Sequence, residues 1–89
     1  MPKILMEAQI SKAFDTWVGV FDADKEDQEA NGFYVMYRGH KLDDPNTVMI
    51  LMEGDPSKLE KYMSQSEKAK VIEESGHIAE STAVTVLSD

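Results

Sequence analysis

The chain contains no cysteine and few basic residues, with 9 Lys and Arg against 17 Asp and Glu. Without cysteine there can be no disulfide, thiolate metal site or cysteine nucleophile. The net charge of −8 argues against nucleic acid and anionic membranes as partners, because binding phosphates requires clustered Lys and Arg. The sequence also lacks an apolar run near the roughly 20 residues of a membrane-spanning helix, and its first residues do not resemble a secretory signal. We therefore expect a cytoplasmic protein with a single domain over residues 1–89.

Apolar residues nevertheless make up 42% of this short chain, and six of them are methionines. A domain of this size buries only about 60–65% of the surface that its unfolded chain exposes. Association with another copy is a common way for so small a chain to bury more apolar surface. The composition therefore favours an oligomer whose interface centre carries few charges.

Hydrophobic periodicity in the first third of the chain predicts a strand followed by a helix. Apolar residues alternate over 3–10, which is the pattern of a strand with one buried face. The period then changes to that of a helix over 12–22, with Ser11 as its expected N-cap. Four apolar side chains share one face of this helix: Phe14, Trp17, Val18 and Phe21. The acidic residues over 22–29 are expected to add a short, solvated turn of helix.

A hairpin is predicted from the middle of the chain. Residues 33–40 are rich in aromatic and β-branched types, which favour a strand. Residues 47–53 form another predicted strand, which is apolar on both faces. The turn between them is expected at 43–46, and its shortness indicates that the two strands are antiparallel.

The last third of the chain predicts a second helix and a fourth strand. Asp55 and Pro56 suit the N-cap and the first helical position, and the capping-box pattern at 64–67 predicts that the helix breaks and restarts there. Gly76 fits the left-handed position after the helix, and 82–87 reads as a strand. The order β-α-β-β-α-β predicts an α+β, ferredoxin-like sandwich, with a four-stranded antiparallel sheet and both helices on one face.

The sheet face away from the helices is expected to be apolar as well. In a monomer this face should be polar, but strand 47–53 offers apolar side chains in either register, and the pattern does not decide which set points outward. An uncovered face of this kind exceeds the apolar patch usual for a monomer. We therefore predict a homodimer in which two sheets pack face to face.

The chain resembles the dimeric α/β barrel superfamily over nearly its whole length. The resemblance rests on four segments: Phe14-Asp15-Thr16-Trp17, Asn31-Gly32, Asp43-Asp44-Pro45-Asn46-Thr47-Val48, and Ser64-Gln65-Ser66-Glu67 through Glu74-Ser75-Gly76-His77. More narrowly, the chain is similar to a small cyanobacterial family of uncharacterised proteins. The resemblance implies the ferredoxin-like fold and the dimeric barrel. It selects no chemistry, because the superfamily includes cofactor-independent monooxygenases, haem-degrading enzymes, lactone isomerases, stress-responsive proteins and effector-binding domains.

Pockets in this superfamily lie between the sheet and the helices or inside the barrel. Six side chains are candidates for such a pocket here: Trp17, Tyr34, Met36, Arg38, His40 and Tyr62. Trp17 is expected either in the core or in a pocket wall. Arg38 and His40 share a face at strand spacing, where they would polarise an anionic or carbonyl ligand or lie in solvent at the strand end. His77 is a further candidate for the pocket, or else a cation that stabilises the helix C-terminus, because it follows Gly76.

Other kinds of site find little support in the sequence. Histidine spacing does not suggest a metal site, and neither a metal nor a cofactor is expected. Segment 22–33 lacks the Gly and the Glu that a calcium loop needs at its sixth and twelfth positions. Haem-degrading relatives carry their Trp on a strand, whereas Trp17 is predicted on a helix. A tautomerase-like Pro2 base would require removal of Met1, and the predicted hairpin does not match that class.

The sequence supports three hypotheses about function. The first is a homodimer that binds a small apolar or aromatic molecule in a pocket lined by Trp17, Tyr34, Met36 and Tyr62. The second is a cofactor-independent monooxygenase-like enzyme that uses the same pocket, with polar groups from the second strand. The third is a structural or regulatory dimer without a ligand. A cavity of a few hundred Å3 with a few convergent polar groups would favour the first two.

Overall fold

The chain forms one four-stranded sheet in a computed structural model that describes residues 1–88. Its strands are β1 (Lys3–Gln9), β2 (Tyr34–Lys41), β3 (Asp44–Glu53) and β4 (Ala83–Leu87). They lie in the order β2-β3-β1-β4, and every neighbouring pair is antiparallel. Helices α1 (Phe14–Ala23) and α2 (Lys25–Ala30) join β1 to β2, and α3 (Leu59–Met63) and α4 (Ser66–Ser75) join β3 to β4. The predicted ferredoxin-like α+β fold is confirmed, with each helical connection divided in two.

The core lies between the helices and one face of the sheet. On that face, six buried residues of β1 and β3 form three cross-strand pairs: Ile4–Met52, Met6–Ile50 and Ala8–Val48. Trp17 from α1 and Phe33, just before β2, are among the largest fully buried side chains. The register settles a choice that the sequence left open, because Thr47, Met49 and Leu51 must then lie on the opposite face of β3.

A β-bulge at Met36 changes which residues of β2 face the helices. Val35 and Tyr37 pair with consecutive residues of β3, so Met36 is the extra residue between them. Val35 therefore faces the helices before the bulge, and Arg38 and His40 face them after it. The expectation that Arg38 and His40 share a face is confirmed, whereas Tyr37 lies on the side away from the helices.

The hairpin turn is shorter than predicted, beginning one residue earlier and ending three residues earlier. Lys41 pairs with Asp44, so the turn consists of Leu42 and Asp43 and β3 begins at Asp44. The Asp-Pro-Asn sequence was misleading because Asp44 closes the turn rather than opening it. Its carboxylate accepts hydrogen bonds from the Asn46 amide at 3.1 Å and the Thr47 hydroxyl at 2.6 Å.

The helix ends follow the sequence signals only in part. The Asp55 carboxylate caps a 3-10 turn by accepting from the amide two residues later at 3.0 Å, and Gly76 ends α4 with φ of 79°. The break between α3 and α4 is confirmed, but Gln65 is the N-cap of α4 without a side-chain hydrogen bond. Likewise Ala13, rather than Ser11, is the N-cap of α1. Ser11 is displaced because its backbone amide bonds to the carbonyl that follows α4, at 2.8 Å.

Candidate functional site

A cavity of about 70 Å3 lies between the sheet and the helices. The apolar part of its wall includes three of the six methionines. Met6 and Met52 are buried there with Trp17, Phe33 and Ile50, and Met63 is half-buried beside them. The cavity is smaller than the roughly 150 Å3 of an engineered cavity that binds benzene. A methionine-rich wall can rearrange, however, because this side chain is unbranched and has three rotatable bonds.

Six polar side chains also line this cavity: Asp24, Gln28, Tyr62, Lys68, Ser75 and His77. The Tyr62 hydroxyl donates to Asp24 Oδ2 at 3.4 Å. His77 Nε2 lies 2.7 Å from the hydroxyl oxygen of Thr82. Burial lowers the pKa of His77, so its ring is neutral at pH 7 and does not act as the helix-terminal cation that the sequence suggested.

Lys68 is a buried cation at the edge of the cavity, with only 4% of its surface exposed. Its Nζ pairs with the carboxylates of Asp24 and Asp27 and lies 4.8 Å from the centroid of the Tyr62 ring. Desolvation on its own would lower the pKa of Lys68, but the hydrogen bonds to Asp24, Asp27 and Tyr62 outweigh it and raise the pKa above its usual value. Lys68 therefore stays charged and ties α4 to the junction of α1 and α2.

The network around Lys68 corrects the expectation of a solvated acidic segment at 22–29. That segment does form the predicted short helix, α2, but Gln28 on it is buried and two of its carboxylates pair with a buried lysine. No local sequence pattern indicates this network, because Lys68 lies 44 residues from Asp24 along the chain. A lysine on an amphipathic helix is usually exposed.

Of the six predicted pocket residues, Trp17 and Tyr62 meet at the cavity, and the further candidate His77 also lines it. Trp17 is 2% exposed and stacks on Phe21 with ring centroids 4.9 Å apart. Tyr62 packs against Phe33 at 5.0 Å. Burial raises the pKa of Tyr62, so its hydroxyl is protonated at neutral pH and serves as a hydrogen-bond donor.

Met36 and Arg38 lie instead in a separate, open groove of about 510 Å3 between β2 and the helices α1 and α2. We refer to this space as the β2 groove. Arg38 makes a bidentate ion pair with Asp22, at 3.0 Å from Nε and 2.7 Å from the terminal nitrogen. Hydrogen bonding to Arg38 holds the pKa of Asp22 below its ordinary value. This pair spans the groove and joins the end of α1 to β2.

Tyr34 and His40 contact neither the cavity nor the β2 groove. Tyr34 is 44% exposed and pairs with Glu53 on the side of the sheet away from the helices. His40 packs edge-on against Phe14 at 4.7 Å, and its Nδ1 lies 2.7 Å from the carbonyl oxygen of Lys41. The structure thus does not bring the six predicted site residues into one pocket.

The sheet surface away from the helices, here called the open face, has an apolar centre and charged pairs beside it. A row across β2, β3 and β1 contains Tyr37, Leu51 and Leu5. The next row contains Met49, which is half-buried, and Gly39, over which the ring of Tyr37 folds. Two ion pairs accompany them: Lys3–Glu53 at 4.0 Å and Lys41–Glu7 at 3.6 Å.

Metal and membrane sites are not found in residues 1–88. Within that range, no group of three or more His, Asp and Glu side chains is arranged to hold a metal ion. The helices of the same range are all too short or too polar to cross a membrane.

Solved structures of other proteins share this fold. Three solved structures with this fold are described as an antibiotic biosynthesis monooxygenase, the cofactor-independent oxygenase SnoaB from Streptomyces nogalater and an uncharacterised NIPSNAP domain protein from Burkholderia xenovorans. Their identities to the chain are 14%, 10% and 8%, with TM-scores of 0.70, 0.68 and 0.69. The alignments cover 100%, 99% and 100% of this chain and 98%, 91% and 94% of the others.

At these identities the likeness shows the fold alone, and the cyanobacterial affinity stays a prediction. Comparison with functionally curated proteins gives no match. The family model described as "Domain of unknown function (DUF3764)" matches residues 3–89, which is nearly the whole chain. The chain therefore belongs to the DUF3764 family.

Proposed function

We propose that this protein binds a small apolar or aromatic molecule in the cavity beside Trp17 and Tyr62. The observation that carries the proposal is the cavity wall, which combines adaptable apolar side chains with a few polar groups, as small-molecule sites do. The volume of about 70 Å3 is too small for a ring, so binding requires that side chains at its edge move. Met63, Val71 and Ile72 are half-buried on one side of the cavity, and Phe21 and Val35 are half-buried on the side of β2.

The charges around the cavity favour a neutral ligand. Asp24 and Asp27 more than neutralise the ammonium group of Lys68, so no free positive charge attracts an anion there, and the net charge of −8 repels anions at long range. The hydroxyl of Tyr62 and the amide of Gln28 can bond to a hydroxyl or carbonyl group on the ligand. The expected ligand is therefore an aromatic molecule with one uncharged polar substituent.

The same proposal includes a homodimer in which the open faces of two copies pack against each other. Leu5, Met49 and Leu51 are half-buried within a single copy, and the remaining apolar surface of the face suits burial in an interface. The ion pairs beside them comprise two Lys and two Glu, so this face carries balanced charge in a chain whose net charge is −8. A second copy therefore meets little repulsion there. The proposal retains the cytoplasmic location and the single domain over 1–89.

Ligand binding can be tested with the fluorescence of Trp17, which is the only tryptophan and lines the cavity. We expect 1,4-naphthoquinone, which is neutral and aromatic, to quench this fluorescence saturably. Val71→Phe fills the edge of the cavity and should weaken binding about tenfold, or about 1.4 kcal/mol. Val20→Phe is the matched control, because Val20 is also half-buried on a helix but does not line the cavity.

Two outcomes decide this test once far-UV circular dichroism has shown that the variants are folded. Saturable quenching that Val71→Phe weakens and Val20→Phe preserves supports the cavity as the site. Non-saturable quenching, or equal affinity in both variants, would overturn it. Val71→Ala provides a second check, because a larger cavity should bind the quinone at least as tightly as the unmodified protein.

A cofactor-independent monooxygenase-like activity is the second candidate. It is supported by the fold shared with the Streptomyces nogalater oxygenase and by the protonated hydroxyl of Tyr62 at an apolar cavity. In such a reaction, 1,4-dihydroxynaphthalene and O2 would give hydroxy-1,4-naphthoquinone and water. The substrate supplies both electrons, one oxygen atom enters the ring, and the other leaves as water.

Oxygen uptake without added flavin or metal tests this reaction. Uptake with the hydroxylated quinone as product, reduced in Tyr62→Phe, would support an enzyme. Uptake that yields hydrogen peroxide and the unhydroxylated quinone is autoxidation and would count against it. If neither quenching nor protein-dependent uptake is found in a dimeric protein, the structural or regulatory dimer becomes the better description.

A further inference from the structure

A thin wall separates the interior cavity from the β2 groove. The two spaces share three lining residues: Phe21, Gln28 and Val35. The groove measures about 510 Å3 and the cavity about 70 Å3. The room that a ring-sized ligand lacks inside is thus present directly across this wall. Opening the wall would convert two unsuitable spaces into one pocket of the usual size for a small-molecule site.

Gln28 is the polar member of this wall and its most deeply buried one, at 7% exposure. Its side-chain nitrogen donates to the backbone carbonyl of Phe21 at 3.2 Å. That carbonyl lies in the last turn of α1 and also accepts a hydrogen bond from the backbone amide of Asp24 at 3.2 Å, so it keeps a partner when the Gln28 side chain rotates away. A leucine would fill the same space in an apolar wall without the cost of burying an amide.

The backbone of Gln28 is firmly held, so the movable part of the wall is the side chain. Its backbone amide donates to the backbone carbonyl of Asp24 at 3.0 Å, and its backbone carbonyl accepts from the backbone amide of Phe33 at 2.9 Å. Two ion pairs also hold α2 in place. Asp27 on α2 pairs with Lys68 on α4, and Asp22 at the end of α1 pairs with Arg38 on β2. Rotation of the Gln28 side chain breaks its hydrogen bond to the Phe21 carbonyl and leaves α2 intact.

We infer that Gln28 is the specificity-determining residue of the proposed pocket and controls its opening to the β2 groove. A ring-sized ligand enters from the side of β2 and places its ring beside Trp17. Its uncharged polar end stays at the wall, where the Gln28 amide exchanges its bond to Phe21 for one to the ligand. The ligand class is therefore an elongated neutral aromatic molecule with a hydroxyl or carbonyl group. This inference rests on the proposed small-molecule function.

Quenching of Trp17 by acrylamide tests the wall without any ligand. Gln28→Ala removes part of the wall and leaves a space that the surroundings fill only partly, so we expect the quenching constant to rise about threefold. Gln28→Leu retains the bulk and should leave it unchanged. Gln65→Ala is the matched control, because Gln65 is a half-buried glutamine at the N-cap of α4 that lines neither space.

Stopped-flow binding of 1,4-naphthoquinone then tests specificity. Gln28→Ala should raise its association rate about tenfold, whereas Gln28→Leu should weaken its affinity because the amide is lost. Val35→Ala opens the same wall from the sheet side and should reproduce the faster association if Gln28→Ala fails to fold. If the quinone binds but these variants leave both the acrylamide quenching and the association rate unchanged, the role of Gln28 is refuted while the proposed function stands. Increased acrylamide access without any quinone binding would overturn the proposed function and the role of Gln28 with it.

Discussion

The ammonium group of Lys68, on α4, bonds to the carboxylate of Asp24, which lies between α1 and α2. The same carboxylate accepts a hydrogen bond from the hydroxyl of Tyr62, which is on α3. One aspartate thus joins both helical connections of the fold at the edge of the cavity. The network holds α2, and hence Gln28, in place beside the groove.

Replacing Lys68 by methionine should destabilise the protein strongly. Lys68→Met keeps most of the side-chain volume but leaves Asp24 partly buried without its partner, which we expect to lower the free energy of unfolding by about 3 kcal/mol. Lys70→Met, at an exposed site on the same helix, should change it by less than about 0.5 kcal/mol. Urea denaturation measures both. Equal stabilities of the two variants would contradict a structural role for the network.

Two glycines should respond in opposite ways to alanine. A β-carbon built on Gly54 would stand 2.5 Å from Cδ1 of the buried Phe33 ring, so Gly54→Ala should lower the free energy of unfolding by about 2 kcal/mol. Gly19 lies in α1 with no atom within 4 Å of such a carbon, so Gly19→Ala should raise it by about 0.5–1 kcal/mol. Thermal denaturation of the two variants checks the difference in sign.

His77 should make the stability fall in mild acid. Its pKa in the folded protein is lowered by burial from an ordinary value of 6.5, so the unfolded chain binds the proton more readily. The contribution of His77 is therefore complete above pH 6.5 and is lost as the pH falls through the lowered folded value. The pKa values of Asp22, Asp44 and Asp55 are lowered from an ordinary value of 3.8. Their protonation therefore reduces the stability only at lower pH than that of His77.

Denaturation of the unmodified protein and of His77→Asn between pH 7.5 and 5 measures this contribution. The unmodified protein should lose stability over that interval more steeply than His77→Asn, whose side chain does not titrate there. Identical slopes in the two proteins would show that the neutral ring of His77 has no part in the pH dependence.

A charge at the centre of the open face should prevent dimerisation. Leu51 lies between Leu5 and Tyr37 in the central row of that face, and Leu51→Glu would place two carboxylates in the proposed interface. Leu42→Glu makes the same change in the hairpin turn at a side chain that is 97% exposed, and it should leave the dimer intact. Light scattering after size-exclusion chromatography should give twice the chain mass for the unmodified protein and for Leu42→Glu only. A monomeric unmodified protein would refute the dimer.

Periodicity identified most elements because each signal is local. The alternation over 3–10 and the helical spacing of Phe14 and Trp17 both follow from one buried face of a single element. Gly76 was identified for a similar reason, since a left-handed residue that ends a helix favours glycine whatever lies around it. The hairpin turn was misplaced because Asp44 suits both the end of a turn and its start.

The residues predicted for the pocket reach the cavity only at Trp17, Tyr62 and His77. Trp17 and Tyr62 lie on the apolar stripes of helices. Tyr34 and Met36 were assigned to the same pocket on the assumption that β2 alternates without interruption. The bulge at Met36 breaks that alternation, and it arises from the pairing of β2 with β3. A single strand carries no clear sign of such a bulge.

The sequence by itself determined the order of elements, the antiparallel hairpin and the residues that seek burial, because periodicity and end signals act within a few residues. Only the tertiary structure decided which face of β3 points to the helices, where Lys68 finds its acids and that Gln28 stands between a cavity and a groove. These features depend on strand register and on contacts between residues tens of positions apart. The contacts that stabilise them form only once the helices have packed on the sheet.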